Sequence, residues 1–449
     1  MAVLAVLQSV SSMGHTKTFI LLVLVISIDA CKRSTSPPSE PVLKVSTKSS
    51  EEIFECDDRE PGEDLKQFSS ANTEFFLSLY KSLKSEGNVL LSPYSIFSGL
   101  SLLQLATVGK TRTQYQQVLH YGKENSSVIH QQARDVLQSL DSLSRVSNET
   151  FILRSANSIF LDSSLVVKQS YMSKAQCYYK AGVTTLPLQA DPQRSAEKMN
   201  AWVSNKTNNR ITDLVSAGSL GGNTMAVLVN TVFFKAPWRL PFNKFSTKAD
   251  VLFTRQDTTK VRVDMMVLEK YLSFARLQSG GIIVELDYDT CKDCDEESSE
   301  MAMYVFIPDK EVDWEVFEQE VLQADILSGE GVKFDQESIR LEMPKFEVSH
   351  QVDLVDALSE LGLNLGGDFS GMSESSPQVS DVLHRVFLRV DEEGSEGAAA
   401  TALFMSRMLF IPRMSITVDT TFFISIVHKQ SRVVVFAGKV DKPEKVNIE

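Results

Sequence analysis

Two stretches of the chain carry side chains whose types and spacing could do chemistry. The first is "CKDCDEESSE", where Cys291 and Cys294 form the one close cysteine pair. A zinc knuckle needs a second such pair or nearby histidines, and this stretch offers only carboxylates. A disulfide oxidoreductase sets the motif in a βαβ context, which the flanking residues lack. The stretch therefore reads as an acidic loop insertion, with a local disulfide as one option. The second stretch is "EEGSEGAAATALFMSRMLF", from Glu392 to Phe410. Gly397 to Thr401 carry almost no side chain, and a greasy, sulfur-bearing block follows, broken by Arg407. It is too small to pack and too apolar for an ordinary loop. As a flexible linker it would need a second domain beyond it, and strand-like sequence flanks it instead.

Catalytic constellations are otherwise missing. The six histidines fall in no His-Glu-x-x-His or other paired metal spacing. There is no Gly-x-Ser-x-Gly elbow, and "GSEG" at Gly394 has the wrong order for one. A P-loop and a dinucleotide glycine fingerprint are also lacking. The sequence supports neither an enzyme nor a metal or other cofactor.

The elements that must position these stretches change type along the chain. "SSANTEFFLSLYKSLKSEGN" puts Phe75, Phe76, Leu79 and Leu83 on one helical face, with Ser70 as start signal and Gly87 as stop. "SPYSIFSGLSLLQLATVGK" reads as a second helix, with Pro93 in its first turn, Ile96, Leu100, Leu103 and Ala106 at helical spacing, and Gly109 ending it. "TRTQYQQVLHY", "SSVIHQQARDVLQSLDSLS" and "SAEKMNAWVSNKT" read as further helices. In the fourth, Arg134 and Arg145 are interleaved with Asp135 and Asp141, so no basic face and no polyanion site forms. Later the period shortens. "MAVLVNTVFFKAPW", "IIVELDYDT" and "EMAMYVFIP" read as strands, and "TTFFISIVHKQSRVVVFAGKV" as two strands joined by a turn at Lys429 to Ser431. Early helices, later strands and no linker after Gln67 predict one large α+β domain.

Composition agrees with a folded, exported protein. Of 449 residues 43% are apolar and 23% charged, enough for a sizeable core. The net charge of −13 argues against nucleic acid or an anionic membrane surface as partner. "HTKTFILLVLVISIDAC" holds a basic Lys17, an apolar run from Phe19 to Ile28 and a small Ala30 at the cut. That run is shorter than the roughly twenty residues a membrane span needs, so residues 1–30 read as a secretory signal and the protein as secreted. Met13 is an alternative start. The Ser/Pro-rich stretch 31–66 reads as a disordered tail, and residues 444–449 as a C-terminal tail. Export makes Cys31, Cys56, Cys177, Cys291 and Cys294 candidates for disulfides of unassigned pairing. It also makes Asn125, Asn148 and Asn205 candidate glycosylation sites, each heading an Asn-x-Ser/Thr triplet.

From about Gln67 to Pro443 the chain resembles the serpins. The likeness rests on "NVLLSPYSI", "NAWVSNKTNNRITDLV", "LVNTVFFKAPW", "LEMPKFEV", "DLVDALSELGL", "VSDVLHRVFLRVDEEGSEGAAATA" and "VFAGKVDKP", in that order. Thr420 and Thr421 depart from it, standing where serpins usually carry a basic or polar residue and a proline. The resemblance implies a serpin domain over 67–443, with helices on a large mixed sheet, smaller sheets and an exposed reactive-centre loop over 392–415. It implies a monomeric suicide inhibitor of a serine protease. The protease cuts the loop and is held as an acyl-enzyme while the loop inserts into the main sheet.

An inserted strand alternates between two faces. One inward set is Ser395, Gly397, Ala399, Thr401, Leu403 and Met405, small where the sheet must first open. Glu396 falls with Ala398, Ala400 and Ala402 on the other face. The implied hinge is Glu392, Glu393, Gly394, Ser395, Glu396, Gly397, Ala398, Ala399, Ala400 and Thr401. Gly397 replaces a usual alanine at roughly 0.5–1 kcal/mol in strand propensity, so slightly slower insertion is expected. The reactive bond is taken as Arg407–Met408, because "MSRM" resembles the bait of antiplasmin-type serpins and "SRM" that of neuroserpins. Arginine at the cut suits a trypsin-like protease. The commonest loop length would instead put the cut after Met408, for an elastase- or chymotrypsin-like pocket. Arg413, after Pro412, is a less favoured second cut. The resemblance further places Ser92, Ser95, Asn230 and His384 in a hydrogen-bonded cluster where the sheet parts, and Trp238, Lys345 and Glu392 at the top of the sheet. The rival reading is a non-inhibitory serpin: a carrier, chaperone or storage protein.

Overall fold

The computed structural model describes residues 45–46, 54, 56, 62, 64–83, 86–122, 126–147, 151–290, 299–395 and 412–446. They begin with a short strand β1 (Val45–Ser46), helix α1 (Lys66–Ser82), β2 (Val89–Leu91) and helices α2 (Pro93–Gln104), α3 (Gly109–Val118) and α4 (Ser126–Val146). Strands β3 (Ile152–Asp162) and β4 (Val167–Lys168) lead to α5 (Gln169–Tyr179), β5 (Gly182–Leu186) and α6 (Pro192–Lys206). The strand-rich part opens with β6 (Ala226–Pro237), β7 (Lys248–Thr254), β8 (Lys260–Arg276), β9 (Gly281–Asp287) and β10 (Met301–Pro308). Helices α7 (Trp314–Val321) and α8 (Ala324–Leu327), strand β11 (Asp335–Asp353), helix α9 (Val355–Glu360) and strand β12 (Val379–Val390) follow. Last come β13 (Gly394–Ser395), β14 (Met414–Thr417), β15 (Phe422–His428) and β16 (Val433–Val440).

Local sequence explains most helix starts, and tertiary contacts explain the rest. At α2, Ser92 Oγ accepts the Ser95 N–H at 3.3 Å and Pro93 fills the first turn. Phe75, Phe76 and Leu79 of α1 are fully buried. That helix starts at Lys66, ahead of the expected Ser70, because the Gln132 side chain of α4 accepts the Phe68 N–H at 2.9 Å and caps it from outside. The second helical run stops at Gln104, and Gly109, expected to end it, opens α3 with φ +55°. Helix α5 and strand β3 were not anticipated from periodicity.

The main sheet runs β11–β12–β13–β6–β3–β5. It is mixed: β11 and β12 are antiparallel, β12 and β6 parallel below β13, β6 and β3 antiparallel, β3 and β5 parallel. The long strands β8 and β11 continue beyond it into two further regions. One joins β7, β8, β11 and β14, and the other joins β8, β9, β10, β15, β16 and β2. The core lies between this framework and the helices, with α2 packed against β3, β6 and β16. Such an α+β arrangement on a large mixed sheet is the predicted fold class. Thr421 is buried, its hydroxyl donating to Asp441 at 2.8 Å, so the departure at this turn is absorbed by a side-chain contact.

A few described residues ahead of α1 are held by contacts that a reading from composition does not register. Val45–Ser46 pair in parallel with Val167–Lys168, and Cys56 is disulfide-bonded to Cys177 of α5. A covalent crosslink supplies what averaged composition does not register. Residues 1–30, read from the sequence as a leader, and Cys31, Cys291 and Cys294 lie outside the described residues.

Candidate functional site

The site builds up from Gly394 and Ser395. As β13 they already lie between two strands of the main sheet: Ser395 pairs with Val390 of β12 and with Ala236 of β6, and Gly394 with Pro237. A Cβ at position 394 would run into the Ala236 carbonyl oxygen, so the approach requires glycine. Ser395 is fully buried and its Oγ lies 2.9 Å from the Tyr288 hydroxyl. Tyr288 stacks on Trp238 with ring centroids 4.5 Å apart. Burial pushes the Tyr288 phenol far up, so it stays neutral and offers a hydrogen bond.

Trp238 ties down the residues just before the strand. Its indole Nε1 donates to the Asp391 carbonyl at 2.9 Å and its backbone N–H to that of Glu393 at 2.8 Å. The Phe242 N–H donates to the Glu392 carbonyl at 2.9 Å. Lys345 Nζ sits 3.0 Å from Glu392 Oε2, and Thr247 Oγ1 donates to Oε1 at 2.8 Å. Burial alone would raise the Glu392 pKa, but the hydrogen bonds from Lys345, the backbone and Thr247, with the Lys345 charge, outweigh it and hold the carboxyl below its usual value. Both side chains of the pair are largely buried, Lys345 at 17% and Glu392 at 7% exposure. Glu393 is held outside by Lys244 at 2.5 Å. Trp238, Lys345 and Glu392 thus meet at one corner of the sheet.

Lower down, Ser92, Ser95, Asn230 and His384 also come together, at a point where β6 and β12 are direct neighbours. His384 Nε2 accepts the Ser92 N–H at 3.2 Å, and Nδ1 donates to Asn230 Oδ1 at 2.5 Å. That pattern requires the neutral ring, and burial, with His350 as a lesser contributor, pushes its pKa down to about 3. The Asn230 amide donates to Ser95 O and Oγ, both at 2.6 Å, and to Asn157 Oδ1. Ser155 meets Ser95 Oγ at 3.0 Å, and Ser92 Oγ donates to the Val435 carbonyl at 2.7 Å. Gly99 allows α2 to lie this close, since a Cβ there would press Asn157 Oδ1 and Leu228 at 3.3 Å. Sequence reasoning missed Asn157, Ser155, Thr247 and Tyr288. Each is a cross-strand or cross-layer partner with no local signal of its own.

The far end of the loop is anchored as well. The Arg413 N–H donates to Ser338 O at 3.0 Å and Oγ at 3.1 Å, while its guanidinium is 79% exposed, 3.7 Å from Glu337. Hinge residues Glu396 to Thr401 and the bond Arg407–Met408 lie outside the described residues, as do Asn125 and Asn148. Asn205 is exposed on α6, and the Thr207 hydroxyl of its triplet is buried, donating to the Val203 carbonyl at 2.9 Å. On α4, Arg134 is buried and Asp141 pairs with Lys180. Among the described residues no group of His, Cys, Asp or Glu is arranged to hold a metal ion.

The family model described as Serpin (serine protease inhibitor) matches residues 70–443. Serpin B6 of Pongo abelii is 31% identical over 389 residues, covering 83% of this chain and 98% of its own length. Leukocyte elastase inhibitor of Sus scrofa is 28% identical over 393 residues, covering 84% of this chain and all of its own, 100%. Among solved structures, Serpin48 of the insect Tenebrio molitor superposes with TM-score 0.71 at 26% identity, covering 84% of this chain and 98% of that one.

Proposed function

The chain belongs to the serpin family, and on that premise we propose that it is a secreted suicide inhibitor of a trypsin-like serine protease, cut at Arg407–Met408. Members of the family inhibit serine proteases through a covalent complex. The observation that carries the reading for this chain is β13. The first two residues of a new central strand, Gly394 and Ser395, already sit between β12 and β6.

The mechanism follows from extending that register. The protease serine attacks the Arg407 carbonyl carbon, Met408 leaves with the freed amine, and the acyl-enzyme remains on the loop. Continued antiparallel growth from Ser395 would set Ala399 between Val386 and Val232, and Thr401 between His384 and Asn230. The His384–Asn230 hydrogen bond is thus the contact the advancing strand must replace, and the Thr401 hydroxyl arrives with a donor and an acceptor to do so. About ten new backbone hydrogen bonds at roughly 1 kcal/mol net each, with apolar burial added, are enough to distort an attached active site, where small misplacements cost large factors in rate.

Secretion is supported by the leader and by the Cys56–Cys177 disulfide, a bond that persists in oxidising compartments. Mixing the protein with trypsin and running a denaturing gel tests the inhibitory reading. A covalent band of summed mass is expected, and cleaved product alone would make the chain a non-inhibitory member. Mass spectrometry of the released C-terminal fragment identifies the severed bond, with Met408 or Leu409 as its first residue.

A further inference from the structure

One strand, β11, holds both feet of the loop. Its Lys345 pairs with Glu392 at 3.0 Å. Earlier on the same strand, Ser338 accepts the Arg413 N–H on its carbonyl and hydroxyl oxygens, at 3.0 and 3.1 Å. From Arg413 the chain enters β14, which runs parallel to β11 with Met414 opposite Ile339. On the other side of β11, Tyr271 of β8 is the register partner of Ser338. Tyr271 and Arg413 therefore flank Ser338 at the C-terminal foot, one on β8 and the other at the entrance to β14. Ser338 itself is buried, whereas Tyr271 is 69% exposed and the Arg413 side chain 79%.

Further along this face the charges are matched. Glu269 and Arg340, the register pair two residues on, form an ion pair. Arg340 also reaches Glu342 at 3.0 Å, and Lys248 holds Glu342 at 2.6 Å. Arg413, at the end of that ladder, is bound less closely: its guanidinium lies 3.7 Å from Glu337, beyond hydrogen-bonding distance. Its backbone is nonetheless pinned to Ser338, and Pro412 just before it has a fixed φ. An aromatic ring and a cation are thus offered to solvent from anchored strands. Tyrosine and arginine are the residue types that carry much of the energy of protein interfaces, and a fixed backbone lowers the ordering cost of using them.

Position in the chain ties this patch to the protease. Arg413 follows Arg407 and Met408 so closely that, at roughly 3.4 Å per extended residue, it lies within about 20 Å of either candidate bond. Any curvature of the chain brings it nearer. A standard interface covers about 800 Å² on each partner, a disc of roughly 16 Å radius. A protease seated on the bond therefore has the C-terminal foot at or inside the margin of its footprint. We propose that Tyr271 and Arg413 form a secondary docking site for the target protease. The surface it fits is an apolar patch bordered by carboxylates, on the side of the protease cleft that receives the residues after the cut. The proposal rests on the inhibitory reading above and holds for a cut after either Arg407 or Met408. Both residues lie outside the part of the loop that inserts, so the site acts on encounter. It raises the rate at which the protease is captured and leaves the partition between trapping and release unchanged.

The test measures the second-order rate of inhibition of trypsin, thrombin and chymotrypsin, at low and at high salt. The parent is compared with Tyr271→Ala and with Arg413→Glu. Each variant is expected to capture at least one of the three proteases about tenfold more slowly. Arg413→Glu should also show a weaker salt dependence than the parent. Stoichiometry of inhibition and thermal midpoint are expected to match the parent in both variants. A slower rate that comes with a lowered midpoint or a raised stoichiometry overturns the docking site, because a disturbed fold or slowed insertion then accounts for it. Covalent complexes formed at equal rates by parent and variants overturn the docking site alone. A parent that forms no covalent complex with any of the three overturns the inhibitory reading itself.

Discussion

Ser395 is fully buried, with Tyr288 across from its hydroxyl. Ser395→Arg would have to bury a guanidinium without a carboxylate partner, at a cost of several kcal/mol. The variant is expected to be cut by trypsin and released as cleaved product, read on a denaturing gel; undiminished trapping would put the inward face of the loop in the other phase. Arg407→Ala is expected to abolish inhibition of trypsin-like proteases, measured as residual activity after incubation, and full potency would move the cut to Met408. His384 carries a pH signature. Its ordinary value near 6.5 falls to about 3 in the fold because burial penalises the imidazolium. The unfolded chain therefore binds the extra proton first, and stability is lost as pH falls from about 6.5 towards 3. At pH 5 that amounts to about 2 kcal/mol. His384→Gln is expected to be less stable than the parent at pH 7.5, yet to lose roughly 2 kcal/mol less between pH 7.5 and 5 in urea titrations. An unchanged pH slope would mean that the ring takes up its proton alike in the folded and unfolded chain.

At the scale of elements, the corner formed by Trp238, Lys345 and Glu392 links β6, β11 and the segment before β13. Lys345→Met would leave the Glu392 carboxylate largely buried with Thr247 as its remaining side-chain partner. It is expected to destabilise the uncleaved protein by about 3 kcal/mol, seen as a lower denaturant midpoint with an unchanged slope. The same elements show what a sequence can and cannot disclose. Strands β6, β10, β15 and β16 announce themselves because they are short runs rich in Val, Ile and Phe and buried on both faces. The start of α1 does not, because its cap comes from Gln132, on another helix. Helix α5 was missed because "QSYMSKAQCYY" turns only Tyr171, Ala175 and Tyr179 fully inward, a stripe too thin to stand out. The four residues Ser92, Ser95, Asn230 and His384 were placed together by family likeness and not by spacing. Nothing in a linear pattern puts position 92 against position 384. The partner of Cys56 was illegible for the same reason, since five cysteines allow many pairings and only the fold brings residue 177 to it.

For the molecule as a whole, the proposed mechanism requires the uncleaved fold to be less stable than the cleaved one. Cutting the loop with a protease that escapes trapping is expected to raise the thermal midpoint sharply, on the scale of about ten hydrogen bonds at roughly 1 kcal/mol each, followed by circular dichroism. An unchanged midpoint would leave no reserve with which to deform an attached enzyme. A strand that slips by one residue turns every side chain to the wrong face. Here Ser395 is already paired on both sides and Gly394 with Pro237, so alignment is settled before any peptide bond is cut. Like a zipper with its slider already seated, the sheet has only to run closed, and the race against hydrolysis of the acyl bond starts without a false start.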